Sequence, residues 1–466
     1  GLYCGDDSVT GKNRIFEKIN EYYMENYNIN VQFVTALMSD YAQSMNMMLS
    51  SGEQLDIFCS GMMGFSNTVA NESTYDLYQD DLINLYGKDI IELIDPVFLK
   101  GCVVNGALCG IPCMRDLATG MWCIVFDRQY LDGIGYDFSN INTEECNPAT
   151  TEDMTELFAK LHEAYPDVNV IYPWGYQYLN QKFLYDPIGG DNFGVLLDPA
   201  NSLEVSNLFT SDMFKEYCEL MYTWQQAGYI SKDAATNTED RDILVAGGNY
   251  LGYFAWSTPG GIWDTEAKVG MDLTTLKIID GYTAGDRFQN ILWSVPITTV
   301  DKVKAVEALN YIYEHDEAAW LLQYGIEGQD YEVLEENEEG TLIKYLADDP
   351  TTLPYYQPYG VYGDRLAWPL MSPSPINKNA IIREFSDSIP DSRKSPALGY
   401  CFNIEEVSTE YSAVTAVIQQ YIPSVNCGTL NPETNLAEFR EALKAAGIDT
   451  VIEENQKQLD EWAANK

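Results

Sequence analysis

Aromatic side chains at the ends of predicted strands are the residues of this chain best suited to bind another molecule. The sequence contains 33 Tyr, 17 Phe and 9 Trp. A strand predicted over Val168–Pro173 leads into Trp174 and Tyr176, and a second apolar run leads into Trp256 and Trp263. A stacked pair of rings contributes about 0.5–1.5 kcal/mol beyond the area it buries. These four side chains are therefore candidate ligand contacts, and packing in the core is the alternative for each.

The sequence gives little support for a catalytic site. The only two histidines, His162 and His315, are poorly placed for a Ser-His-Asp arrangement, and no Gly-Lys-Ser/Thr phosphate loop is present. A glycoside hydrolase needs two carboxylates, but among 71 acidic residues some pair always looks suitable. The ten cysteines contain no C-x-x-C spacing and predict buried free thiols rather than disulfides or a zinc site. We expect no catalytic residue, no metal and no cofactor.

The charge of the chain limits its partners. Lys and Arg number 27 against 71 Asp and Glu, so the formal net charge is 27 − 71 = −44. Nucleic-acid binding requires clustered basic side chains, and anionic lipid would be repelled. A neutral or cationic ligand is favoured, although a local arginine could still hold an acid.

The first hundred residues predict alternating strands and helices. The expected elements are a strand at 2–4, a helix at 13–25, a strand at 29–33, a helix at 41–50 and a strand at 55–59. This order predicts an α/β lobe with right-handed crossovers. Ligands of such sheets lie beyond the carboxyl ends of the strands, which makes Asp7 and Met62 candidates by position. The alternatives are an ordinary turn residue and a core methionine.

A hairpin and a sheet change are predicted between residues 101 and 127. Asn105-Gly106 tolerates the positive φ of a two-residue turn, so Val103-Val104 and Ala107–Pro112 should pair around it. Met121–Phe126 is a new apolar run after Pro112, and it should belong to another sheet.

This stretch resembles the lobe crossing of the extracellular solute-binding proteins of ABC importers. The resemblance rests on the order of several short motifs: Asn105-Gly106, then Gly110-Ile111-Pro112, then Phe126-Asp127-Arg128-Gln129-Tyr130-Leu131, with Ser51–Phe58 before them and Trp224–Thr236 after them. The end of the chain, with Leu443–Trp462, resembles a C-terminal domain of unassigned function found on one subset of these proteins.

The resemblance implies an α/β, two-lobed, periplasmic-binding-protein-like fold of type II with several lobe crossings. The N-terminal lobe is expected to comprise residues 1–112 and 295–345. The C-terminal lobe is expected to comprise 113–294 and 346–466, with a helical C-terminal extension. Hinges are expected near Ile111–Gly120 and Asn290–Ser294.

The resemblance also implies a function. The protein is expected to capture a small neutral solute in an interlobe cleft and deliver it to a membrane permease. An oligosaccharide is the expected cargo, a peptide or another small nutrient is the alternative, and a glycoside hydrolase is less favoured. A monomer is expected, outside the cell, as a surface lipoprotein whose signal and membrane anchor precede this sequence.

The polar ligand contacts are expected on the segments that connect the lobes. Arg115 and Asp116 are the first choice, and an internal ion pair that shapes the hinge is the alternative. Arg365 and Trp368 lie in the Pro-, Gly- and Tyr-rich stretch Asp348–Pro375 and are expected to reach the ligand.

Overall fold

The computed structural model of this chain describes residues 11–36, 40–115, 119–140, 148–173, 185–188, 193–237, 241–357 and 360–465. The helices are α1 Lys12–Tyr27, α2 Tyr41–Ser51, α3 Phe65–Ala70, α4 Leu82–Tyr86, α5 Lys88–Leu93, α6 Pro96–Lys100, α7 Arg128–Gly133, α8 Thr151–Ala164, α9 Asp212–Gln226, α10 Arg241–Ala246, α11 Gly261–Val269, α12 Lys302–Glu314, α13 Asp316–Tyr324, α14 Lys378–Ser388, α15 Ser408–Asn426, α16 Pro432–Ala446 and α17 Ile448–Ala464. The strands are β1 Phe58–Cys59, β2 Val103–Val104, β3 Ala107–Leu108, β4 Ile111–Pro112, β5 Thr119–Asp127, β6 Asn169–Tyr172, β7 Asp186–Pro187, β8 Val195–Leu196, β9 Val205–Ser206, β10 Tyr250–Ser257, β11 Leu273–Thr283, β12 Leu292–Ser294, β13 Tyr331–Asn337, β14 Gly340–Tyr345 and β15 Leu370–Met371. The α/β class is confirmed.

The chain divides into two compact units. The first unit contains residues 1–118, 285–383 and 397–405, and the second contains 119–284, 384–396 and 406–466. The predicted boundaries differ most in 346–383, which were placed in the C-terminal lobe and lie in the first unit. The physical reason is packing within that unit, where the ring of Tyr362 stacks on that of Trp293 with 5.8 Å between centroids.

The sheet of the first unit is built from short antiparallel strands in the order β1-β12-β4. The predicted β-α-β order with parallel crossovers is not seen for these strands. The expected strand over Ile29–Phe33 does not form either, because the side chain of Asn20 occupies backbone groups that a ladder would need. Its amide donates to the carbonyl of Val31 at 2.7 Å and its oxygen accepts from the Val31 N–H at 2.5 Å. The strand expected at 2–4 lies outside the described residues.

Helices α1, α12 and α13 cover the core of the first unit. Ile15, Ile19 and Tyr23 follow the predicted helical stripe and are fully buried. The hydroxyl of Tyr23 donates to the carbonyl of Ala308 in α12 at 2.9 Å. The predicted hairpin is confirmed, because β2 and β3 pair around Asn105, with φ 51°, and Gly106, with φ 82°.

The second unit is organised around a sheet with strand order β11-β5-β10-β6. Strand β5 pairs antiparallel with β10 and β11, whereas β6 runs parallel to β10. The sequence offers Thr150 or Thr151 as the N-cap of helix α8, and in the structure Thr150 takes this position in a capping box with Asp153. It packs on α9 through Phe158 and Trp224, whose ring centroids are 4.9 Å apart.

The C-terminal helices α15, α16 and α17 belong to the second unit. The predicted helix pair is present, but Gly447, with φ 93°, is both the C-cap of α16 and the N-cap of α17. The sequence predicts Asp449 as the N-cap of the last helix, because aspartate is a preferred N-cap residue, but Asp449 lies in the first turn of α17. Within the described ranges, no helix is both long enough and apolar enough to cross a membrane.

Candidate functional site

The start of β5 and the ends of β10 and β11 lie side by side in the sheet of the second unit. This end of the sheet is called the sheet edge below. Thr119 of β5 is the cross-strand partner of Thr283 of β11, and their hydroxyls are hydrogen-bonded at 2.8 Å. Met121 of β5 is paired with Ser257, the last residue of β10. The chain first enters the unit at Thr119 and first leaves it after Ala284, so the first two of the five connections between the units start from this edge.

Trp256 lies at this edge. It is the cross-strand partner of Trp122, and the two rings make an edge-to-face contact with centroids 5.0 Å apart and planes at 69°. Trp122 is buried, at 4% exposure, whereas Trp256 is partly exposed. The predicted ligand contact therefore has a buried ring behind it and some surface left for a ligand.

Trp263 follows in the first turn of α11 and is also partly exposed. Its ring lies against Gly260, where a Cβ would come within 2.3 Å of the ring atom Cζ3. Gly260 has φ 82° and is the N-cap of the helix. Glycine at this position therefore permits both the left-handed backbone conformation and the close approach of the Trp263 ring.

In the first unit, Arg115 and Arg365 are brought together by the backbone. The N–H of Met114 donates to the carbonyl of Gly363 at 3.0 Å, and the N–H of Arg365 donates to the carbonyl of Met114 at 2.7 Å. Burial raises the pKa of the Cys113 thiol to about 12, and the charges of Arg115 and Arg365 both oppose that rise. The charges of two guanidinium groups that are 250 positions apart in sequence therefore both lower the pKa of the same thiol.

Met62 belongs to the same neighbourhood. It lies in the turn Gly61–Met63 that follows β1 and is partly exposed. Burial raises the pKa of Cys59 to about 12, while backbone hydrogen bonds from the turn, that of Met62 first, and the charge of Arg115 lower it. Met62 and Arg115 therefore both lie near Cys59.

Trp368 is mostly buried, at 4% exposure, and its ring meets that of Tyr324 edge to face at 6.1 Å. A Cβ at Gly360 would lie 3.1 Å from both the Nε of Arg365 and the Cζ3 of Trp368, so all three residues meet at one point. This placement favours Trp368 as a support for Arg365 rather than as a ligand-stacking surface.

A carboxylate that sequence reasoning missed lies beside these arginines. Asp364 is buried and accepts from the N–H of Leu366 at 2.9 Å and from Nη2 of Arg383 at 3.3 Å. Burial raises the pKa of Asp364. Burial, followed by the charge of Asp364, raises the pKa of Asp316 to about 6. The contact with Arg383 and the proximity of Asp316 have no local sequence signal, whereas the bond from Leu366 is a local N-cap.

Four predicted contacts lie outside the described residues: Asp7, Asp116, Trp174 and Tyr176. They stay predictions. Tyr172, the last residue of β6, is paired with Tyr253 of β10, three residues before Trp256. The segment that follows β6 contains Trp174 and Tyr176.

The prediction of free thiols is confirmed for the cysteines that the structure describes. Cys59, Cys102, Cys109, Cys113, Cys123, Cys218, Cys401 and Cys427 are unbridged, and all but Cys401 are buried. The same part of the chain holds no group of three or more His, Cys, Asp or Glu side chains arranged to bind a metal ion.

The fold and these side chains define a protein that binds a solute. Residues 7–319 match the family described as bacterial extracellular solute-binding protein, so the chain belongs to that family. Residues 396–464 match a domain of unknown function, DUF3502, as the resemblance of the C-terminal helices predicts.

Individual relatives agree with this assignment. A carbohydrate ABC transporter substrate-binding protein of Streptococcus pneumoniae serotype 4 is 27% identical over 440 residues, which cover 92% of this chain and 83% of that protein. The N-glycan transport solute binding protein NgtS of Streptococcus pneumoniae matches with a TM-score of 0.81 at 22% identity, covering 99% of this chain and 98% of NgtS. FusA of S. pneumoniae, solved in complex with kestose, matches with a TM-score of 0.66 at 14% identity, over 100% of this chain and 99% of FusA.

Proposed function

We propose that this protein is the substrate-binding receptor of an ABC importer and that its ligand is a neutral oligosaccharide. The single observation that carries the carbohydrate assignment is the partly exposed Trp256, backed by the buried Trp122 at the sheet edge of the second unit. Sugars present apolar C–H faces to aromatic rings and hydroxyls to polar groups, and Trp263 offers a second ring.

The first unit, taken by itself, also offers side chains suited to a sugar. Arg115 and Arg365 have donors that match sugar hydroxyl and ring oxygens, and charge-assisted hydrogen bonds are worth about 1.5–3 kcal/mol each. Met62 adds an adaptable apolar surface next to them.

The relatives support the same ligand class. The relative at 27% identity is named as a carbohydrate-binding component. NgtS was solved with Man1GlcNAc and with Man5GlcNAc, and FusA with kestose. All three ligands are uncharged, which suits a chain with a formal net charge of −44.

We further infer that the protein passes its ligand on unchanged to the membrane subunits of an ABC permease. It acts outside the cell, in keeping with its family, as a monomer held at the cell surface by a lipid anchor. No enzymatic step is needed for this role.

A thermal-shift and calorimetry screen tests the proposal. The probes are Man5GlcNAc, kestose, maltotriose and, as the alternative class, neutral tri- to pentapeptides. A ligand at 100 times its dissociation constant should stabilise the protein by about 2.7 kcal/mol. Trp256→Ala and Arg115→Met should each weaken binding by about tenfold or more.

Lys344→Met is the matched control for the arginine variant, because Lys344 is an exposed cation on β14 of the same unit, more than 200 positions from Arg115 in sequence. It should leave the affinity unchanged. Stabilisation by peptides and by no saccharide would move the assignment to peptide transport. Chromatographic detection of cleaved glycan after incubation would favour the hydrolase instead.

A further inference from the structure

We propose that Gly120 and Trp122 are positioning residues that hold the indole of Trp256 in its ligand-binding orientation. The inference rests on the proposed function, since it concerns how that candidate ring is held. Neither residue has a recognisable signal in the sequence, because the role of each depends on a strand more than 130 positions away.

The strand register brings the three residues together. Trp122 and Trp256 are directly opposed across β5 and β10, and Gly120 lies two residues before Trp122, on the same face of β5. Diagonal neighbours on one face of an antiparallel pair are within reach of large side chains. The indole of Trp256 therefore has Trp122 beside it and Gly120 at its diagonal.

Contacts at Gly120 show how close this approach is. A Cβ on Gly120 would lie 2.2 Å from Nε1 of Trp256, 2.4 Å from Cε2 and 2.9 Å from Cδ1. All three are atoms of the five-membered ring, so that edge of the indole rests on the Gly120 backbone. Any side chain at position 120 would force the ring to move.

The backbone does not itself require glycine at this position. Gly120 is absent from the residues with positive φ, so an alanine meets no conformational penalty there. The ring is what excludes a side chain. Gly260 under Trp263 differs, because its φ of 82° would strain any substitution.

Trp122 fixes the ring from the other side. It is 4% exposed, and its edge-to-face contact with Trp256 has a centroid separation of 5.0 Å. A buried, packed side chain keeps one rotamer, so it limits the rotamers of its neighbour. A ring held in this way loses little conformational freedom when a ligand stacks on it, which favours affinity.

The primary test is Gly120→Ala. We expect at least about a tenfold weaker affinity for whichever of Man5GlcNAc, kestose or maltotriose the wild-type protein binds. The matched control is Gly281→Ala in the neighbouring strand β11. Its Cβ would also meet an aromatic ring, at 2.7 Å from Cζ of Phe385, but it does not contact Trp256. The control should lose stability and keep its affinity.

A double-mutant cycle separates positioning from a general structural effect. If Gly120 acts through the indole, Gly120→Ala should cost little further affinity once Trp256→Ala has been introduced, because no ring is left for the added Cβ to displace. Additive losses in the double variant would contradict the proposal.

Circular dichroism of the unliganded protein gives a readout that needs no ligand. Two indoles in close edge-to-face contact give a paired, oppositely signed far-ultraviolet signal. That signal should be lost in Trp122→Phe and Trp256→Phe and reduced in Gly120→Ala, but kept in Gly281→Ala. If Gly120→Ala does not fold, Trp122→Phe serves as the binding variant, with about a threefold to tenfold loss expected.

The outcomes separate the two claims. A wild-type protein that binds no saccharide overturns the proposed function. A wild-type protein that binds a saccharide, with an unchanged affinity and an unchanged paired signal in Gly120→Ala, overturns the positioning role and leaves the function standing.

Discussion

Basic side chains are few in this chain, and the two that approach the same thiol are far apart in sequence. Arg115 and Arg365 were both candidate contacts from their positions in irregular segments. Their proximity depends on the backbone bonds between Met114 and the Gly363–Arg365 segment. This pairing has no local sequence signal, because an isolated β-bridge such as that between Met114 and Asp364 requires neither a periodic pattern nor a turn motif. The residue types were predictable, and their joint position was not.

The most testable buried charge is Asp286 in the first unit. It is 9% exposed, and its Oδ1 has no hydrogen-bond partner in the part of the chain that the structure describes. Burial raises its pKa from 3.8 to about 6, against the lowering effect of Arg287. The folded protein thus binds this proton more tightly than the unfolded chain, so stability falls as the pH rises from about 4 to above 6.

Asp286→Asn should remove this penalty. Since each pKa unit corresponds to about 1.4 kcal/mol, the variant should be more stable than wild type by up to about 3 kcal/mol at pH 8, with no advantage below pH ~4. Urea unfolding of both proteins between pH 4 and 8 measures the difference. Glu338→Gln, in the exposed β13–β14 turn, is the control and should change stability by less than about 0.5 kcal/mol. A constant Asp286→Asn effect at every pH would contradict the assignment.

At the scale of elements, turn and cap chemistry was the most reliable guide. The Asn105-Gly106 hairpin and the Thr150 cap of α8 are confirmed because each depends on neighbouring residues alone. The strand expected at Ile29–Phe33 failed because the period-two pattern cannot show that Asn20 would occupy the backbone of Val31. Side-chain competition for backbone groups is a tertiary effect even at short range.

The α16–α17 turn makes a prediction at this scale. Gly447 has φ 93°, and a Cβ there would lie 2.7 Å from Cγ of Glu410 on α15. Gly447→Ala should destabilise the second unit by about 1–3 kcal/mol, because left-handed strain of about 1–2 kcal/mol is added to a steric contact. Thermal unfolding measures the loss.

Gly270→Ala is the matched control for that variant. Gly270 is also a left-handed helix C-cap, with φ 67°, but no heavy atom lies within 4 Å of the position that a Cβ would take there. It should show the backbone strain alone. Equal losses in the two variants would mean that the contact with Glu410 contributes nothing.

At the scale of the molecule, the dominant physical term is charge. A formal net charge of −44 predicts strong self-repulsion at low ionic strength. Raising the ionic strength from 0.01 to 0.15 M shortens the Debye length from about 30 to about 8 Å and should raise the melting temperature by about 2–4 °C for each kcal/mol gained. Differential scanning calorimetry in NaCl, with sucrose of equal osmolality as the control, measures this. A melting temperature that is insensitive to salt would show that the charges are already neutralised by local pairing.

The division of the chain into units was partly predictable. Predicted crossings at 112 and 294 lie within about ten residues of the first two of the five observed crossings, at 118 and 284. The stretch 346–383 was misplaced because its composition indicates irregular structure and nothing more. Its place follows from contacts such as that of Tyr362 with Trp293, and from the pairing of β15 with β14.

By itself, the sequence determined the α/β class, the N-cap of α8, the hairpin and the family, and it supplied the aromatic and arginine side chains that we propose as contacts for a sugar. Those features are encoded in periodicity, turn residues and composition, which act between near neighbours. Only the tertiary structure decided that Trp122 and Gly120 lie against Trp256, that Arg115 and Arg365 both lie near Cys113, and that 346–383 belongs to the first unit. These outcomes depend on strand register and close packing between distant segments, where one missing Cβ or one backbone bridge is decisive.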